Sequence, residues 1–172
     1  MTSIARKSRI IKAAGVGVGV AVLLELAGTL PEAPPRRTQL FVALDLVGYF
    51  SDEPGSQTFP LPLLRLYYPS RGDFIAVVGD LTAGRPIKRV KRGMRSLAGI
   101  PVLSFRAPRA IPGFDWSDHY WFREHGFAAV LVTDTAMLRN PNYHRSTDLP
   151  DTLDFARMAE VVQGLHGVLQ VQ

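Results

Sequence analysis

Short apolar runs alternate with stretches of helical spacing through most of this chain. Gln39 to Gly48 is apolar and rich in β-formers, which predicts a strand with Asp45 inside it or at its end. Tyr49 to Arg71 carries prolines and glycines and no clear period, so it reads as a long ordered loop with room for a short helix. Phe74 to Val78 predicts a short strand. Thr82 to Leu97 has helical spacing, with Pro86 in its first turn. Ile100 to Phe105 predicts another strand, ended by the turn-forming segment Arg106 to Gly113. Trp116 to His125 predicts a short helix with Gly126 as its stop. Ala128 to Val132 is fully apolar, the pattern of a strand buried on both faces. Asp154 is placed to N-cap a last helix. Along it Phe155, Met158, Val161, Val162, Leu165, Val168 and Leu169 form a stripe of period 3.6. Of these, Phe155, Met158, Val162 and Leu165 are expected to pack on the sheet.

This alternation predicts an α/β fold: three αβα layers around a mixed, mostly parallel central sheet. A length of 172 residues suits one domain. We divide it into a basic N-terminal segment, 1–13, and a domain over 14–172.

The start of the chain admits three readings. Basic residues up to Lys12 precede an apolar stretch from Ala13 to Leu30, the outline of a signal peptide or a membrane anchor. Glu25 argues against an anchor, since a carboxylate at mid-bilayer costs about 2.5–3.5 kcal/mol. No clear small-x-small cleavage site precedes Pro31. The favoured reading is a buried amphipathic helix, with Val20, Leu23, Leu24, Ala27 and Leu30 inward and Glu25 outward. A loop rich in Pro and Arg, Pro31 to Arg37, follows.

Composition narrows the chemistry. Hydrophobic residues make up 47% and charged residues 20%, enough to bury a core and unlike a disordered tail. The chain has no cysteine, which excludes disulfides, thiolate metal sites and Cys nucleophiles. A transition-metal site must therefore use His and carboxylates. The net charge of +5 collects in Arg6, Lys7, Arg9 and Lys12, and in Lys88, Arg89, Lys91, Arg92 and Arg95. The second cluster reads as the solvated face of a helix whose apolar side holds Val90 and Met94. No aromatic residues interleave with it, so a base-stacking nucleic-acid surface is not expected.

Ligands on layered α/β folds sit at strand ends and in the loops that follow. Asp45, the pair Asp118-His119, and His144 with Asp148 fall at such places. His144 lies among Asn140, Asn142 and Asp148, and Asp148 could orient its ring. His125 and His166 read as structural.

Several motifs then agree in order. They are Ser117-Asp118-His119-x-x-Phe122, Gly126 through Thr135, Arg139-Asn140-Pro141-Asn142-Tyr143-His144 and Asp148-x-Pro150-Asp151-Thr152-Leu153-Asp154. With Leu44-Asp45-Leu46-Val47-Gly48-Tyr49, Ser51 to Gln57, Val20 to Ala27 and Pro35 to Ala43, this pattern resembles the M28 family of zinc aminopeptidases after about Ala14. The resemblance implies a partial zinc-aminopeptidase fold, zinc as cofactor and a peptide as substrate. In that family two zinc ions share a bridging aspartate, and a glutamate acts as the base that activates water. Carried over by position, Asp45 matches an aspartate of one metal and His144 the histidine of the other. Asp118, His119, Tyr143 and Asp148 match residues that line the pocket or support the ligands. Since each follows or ends an apolar strand or its adjoining loop, Asp45, His119 and His144 are expected at one edge of the sheet.

The departures from that pattern are specific. No histidine precedes His119, so the family's first zinc histidine has no counterpart in the sequence. Gly15 stands where the bridging aspartate is expected. The Glu-Glu pair expected after Phe41-Val42-Ala43 is absent, as though a segment near residues 43–44 had been deleted. Arg145-Ser146 replaces the usual Thr-Pro. A catalytic zinc normally takes three protein ligands, and the general base is missing as well. The expectation is a metallopeptidase domain whose hydrolysis is lost or impaired and whose zinc binding is weak or absent. The alternative is a non-catalytic binding module, membrane-tethered through residues 1–30. A cytoplasmic location is favoured over a secreted or anchored one.

Overall fold

The computed structural model describes residues 40–108, 111 and 116–170. The amphipathic segment Val20 to Leu30, the loop Pro31 to Arg37, Gly15 and the basic start lie outside the described residues. Strand β1 spans Phe41–Leu44, β2 Ile75–Asp80, β3 Val102–Ala107 and β4 Ala129–Thr133. Helix α1 spans Gly84–Leu97, α2 His119–Glu124 and α3 Phe155–Gln170. Short 3₁₀ turns occupy Pro62–Leu66, Ala136–Leu138 and Pro150–Thr152.

The strands form one mixed sheet in the order β1-β4-β2-β3. β1 runs parallel to β4 with Phe41 opposite Ala129, and β2 parallel to β3 with Ile75 opposite Val102. β2 and β4 meet antiparallel, Val77 opposite Val132. The ends of β1 and β4 therefore share one edge of the sheet, and the end of β2 lies at the other. Every residue of β4 is buried, as its unbroken apolar run demands.

The two faces are covered differently. On one, α1 and α3 pack side by side: Ile87, Val90, Met94, Val161, Leu165 and Val168 close over Ile75, Val77, Val102, Val130 and Val132. On the other lie α2, through Phe122 stacked on Phe41 at 3.6 Å, and the aromatic group Phe59, Tyr68 and Phe105. These are the three layers that the alternation of elements implies, an α/β fold.

The last helix corrects one expectation. Asp154 caps it, its Oδ1 accepting from Arg157 N at 2.9 Å. Met158, Val161, Leu165 and Val168 are buried, but Phe155 is 60% exposed and Leu169 50%. The inward face runs instead through Gly164 and Gly167. A Cβ on Gly167 would stand 2.2 Å from the carbonyl oxygen of Gly93, and one on Gly93 2.5 Å from Val168 Cα. The helices cross backbone to backbone, which rotates the stripe away from Phe155. Gly126, with φ +82°, ends α2 in the left-handed conformation expected of a helix stop. No helix among the described residues is long and apolar enough to cross a membrane.

Candidate functional site

β1 and β4 finish together, and their continuing loops are stitched to each other. Asp45 N donates to the Val132 carbonyl at 3.2 Å, and Asp134 N to the Leu46 carbonyl at 2.6 Å. The buried Asp134 carboxylate then holds both loops. Its Oδ2 accepts from Gly48 N at 3.1 Å and Tyr49 N at 2.8 Å, and its Oδ1 from Ala136 N at 2.9 Å. Burial pushes the Asp134 carboxyl up to about 6 despite the hydrogen bonds from Tyr49, Ala136 and Gly48 and the nearby charge of Arg139, which all oppose the rise. Beneath it the Arg139 guanidinium lies 4.5 Å from the centre of the Phe74 ring. It donates to Gln57 Oε1 at 2.9 Å and to the Phe74 carbonyl at 2.8 Å.

Among the described residues, the non-glycine positions with positive φ are Leu46, Thr135, Ala136 and His144, all in these two loops. A β-branched residue such as Thr135 at φ 82° is a rare conformation. Strain of this kind persists where the surrounding hydrogen bonds over-determine it.

This frame brings Asp45, Ser117, Asp118, Tyr143 and His144 together. Asp45 is solvent-accessible at the end of β1. Its partial enclosure raises its carboxyl above the ordinary range; a hydrogen bond from Ser117 opposes this, Asp118 adds to it, and His144 opposes it. Burial raises the Tyr143 hydroxyl too, and Asp45 adds to that shift. The Tyr143 and His144 rings stack with centroids 3.9 Å apart. Asp45, Ser117 and Tyr143 stand on the wall of a cavity of about 240 Å³. The rest of that wall is largely apolar and includes Leu46, Phe59, Leu64, Tyr68, Phe105 and Leu131.

Two residues singled out from the sequence lie elsewhere. His119 is fully buried under α2, away from the cavity wall. Burial holds its imidazole below the usual value, with Asp80 opposing and Arg123 reinforcing the effect. The reason is the direction of α2: it runs from the Asp45 edge, where Ser117 sits, toward the Asp80 edge. There Arg123 Nη2 meets Asp80 Oδ2 at 2.8 Å. Asp148 Oδ1 accepts from Asn140 Nδ2 at 3.1 Å, so it secures the base of the His144 loop. Ser117, Asp134, Gln57 and Arg139 were not identified as site residues from sequence. Their one sequence signal is the polarity of Asp134 directly after an unbroken apolar strand.

Among the described residues no group of three or more His, Asp or Glu side chains is placed to hold a metal ion. Asp45 and His144 have Asp118 beside them. What the arrangement can do is present two carboxylates and an imidazole at the mouth of an apolar pocket.

The fold is an α/β fold like that of part of an aminopeptidase of known structure. The crystal structure of the Legionella pneumophila LapA aminopeptidase is similar, with a TM-score of 0.52 and 19% identity over 91% of this chain and 36% of that one. A second LapA structure gives a TM-score of 0.55 and 18% identity over 94% of this chain and 37% of the other. In sequence, the chain is 42% identical to the uncharacterized protein YfbL of Escherichia coli K12 over 130 residues, 76% of this chain and 40% of YfbL. It thus spans less than half the length of the proteins it matches. No protein-family profile matches it.

Proposed function

We propose that this chain is an M28-type aminopeptidase domain that recognises the amino-terminal end of a peptide but does not hydrolyse it by itself. One observation supports the reading above all: Asp45, Ser117, Asp118, Tyr143 and His144 converge at the mouth of an apolar cavity. A peptide's terminal ammonium would pair with Asp45 and Asp118 while its first side chain enters the cavity. Pockets of this build are apolar inside, with few polar groups to orient the ligand. A hydrogen bond from Ser117 steadies the Asp45 carboxylate, and the charge of His144 lies nearby.

Hydrolysis needs more than this. Asp45 and His144 are the donors that zinc would use, and they are too few for a tight site. With so few donors zinc would bind weakly, and among the described residues no glutamate stands beside them to activate water.

The test measures retained metal after dialysis and hydrolysis of aminoacyl anilides with and without added zinc. Binding of leucine amide is followed by calorimetry. The expected result is no retained zinc, no turnover, and leucine amide binding that Asp45→Asn abolishes. Stoichiometric zinc, with chelator-sensitive turnover that His144→Ala removes, would overturn the proposal. So would leucine amide binding that Asp45→Asn leaves unchanged.

A further inference from the structure

The outer face of α1 carries a charge pattern that the site does not use. Arg85, Lys88, Arg92 and Arg95 are spaced by three, four and three residues. That spacing puts them on one stripe of the helix. The stripe lies opposite the buried Ile87, Val90 and Met94, and all four side chains are exposed. The helix contains no acidic residue, and no ion pair among the described residues neutralises the four. Like charges three and four residues apart repel and weaken a helix. On the flank, burial pushes the Lys91 ammonium below the ordinary value, and Arg95 adds to the shift.

The stripe continues onto the neighbouring edge of the sheet. Arg85 and Lys88 line an open cleft with Arg106 and Arg123. Arg123 is matched by Asp80. In the same cleft stands Leu81, 60% exposed. An apolar side chain among cations suits a surface whose anionic headgroups overlie hydrocarbon. A nucleic-acid duplex offers that leucine nothing, and no aromatic residue on the stripe could stack on a base.

We propose that this face of α1, with Leu81 and Arg106, docks the domain on an anionic phospholipid surface. The contact is electrostatic and peripheral; α1 covers the face of the sheet opposite the Asp45 cavity, and Arg106 lines both that cavity and the cleft. It requires neither the peptide-binding reading nor the N-terminal segment.

The test is co-sedimentation of the full chain with vesicles of phosphatidylcholine, pure or with one third phosphatidylserine. Binding is expected only to the anionic vesicles, and it should fall steeply between about 0.1 and about 0.5 M salt as screening shortens. The variant Arg85→Gln, Lys88→Gln, Arg92→Gln, Arg95→Gln should bind about fivefold more weakly for each charge removed. Its melting temperature should stay level or rise, since repulsion is relieved. A second variant replaces Arg6, Lys7, Arg9 and Lys12 by Gln and should retain binding. Equal binding of the wild type to both vesicles, or undiminished binding by the α1 variant, overturns the proposal. So does binding to duplex DNA without binding to vesicles.

Discussion

Two aspartates illustrate how a single residue's environment sets its role. Asp80 sits at the end of β2, where Thr82 and Arg123 donate to its carboxylate. Burial works against ionisation there, but the hydrogen bonds from Thr82 and Arg123 outweigh it and hold the carboxyl down at about 2. A carboxyl depressed in the folded state adds stability above its ordinary value of 3.8, and that stability is lost as pH falls toward about 2. Asp134 is the reverse case. Its carboxyl is raised from 3.8 to about 6, so the folded state holds the proton more tightly than the unfolded one. Its contribution is complete below about 4 and is lost as pH rises through about 6. Urea unfolding at a series of pH values checks both. Asp80→Asn should flatten the loss of stability on the acid side, and Asp134→Asn should remove the decline between about pH 4 and about pH 6.

Among the elements, the pairing of α1 with α3 is the most demanding. Gly93 and Gly167 face each other so closely that a methyl group on either meets backbone atoms. Backbone cannot move aside as a flexible side chain can. Gly167→Ala should therefore cost about 1–3 kcal/mol in urea unfolding, the range for an overpacked core. Phe155, large and apolar at the start of the same helix, is mostly exposed. Phe155→Ser should change stability by no more than about 0.5 kcal/mol. A loss of several kcal/mol would contradict that exposed position.

For the molecule as a whole, the sheet separates what holds the domain together from what it presents. Its α1–α3 face is a closed apolar core, whereas its other face is only partly filled and leaves the cavity. Asp45 and His144 stand exposed at the rim of that second face. Asp45→Asn and His144→Ala should leave the unfolding midpoint within the equivalent of about 0.5 kcal/mol of wild type. The first should abolish leucine amide binding in calorimetry. A large loss of stability in either would make these residues structural rather than ligand-facing.

Much of this architecture was legible in the amino acids. The apolar run of β4, the Asp154 cap, the Gly126 stop and the apolar side of α1 are local patterns, and each is enforced by water and by short-range geometry. They fixed which elements form and which layers they make. The nearness of Asp45 to His144 was readable too, because both follow strands that end at one edge. Other features needed the folded chain. His119 lies next to Asp118 in sequence, but the helical turn between them sends one ring into the core and leaves the other residue at the mouth. The Gly93–Gly167 crossing redirects the last helix, and a hydrophobic stripe cannot report how closely two backbones will approach. Asp134 joins Gly48, Tyr49 and Ala136 across more than eighty positions for the first two. Such contacts leave no periodic trace in the sequence, because what selects them is the unmet demand of buried backbone N–H groups once the strands have paired.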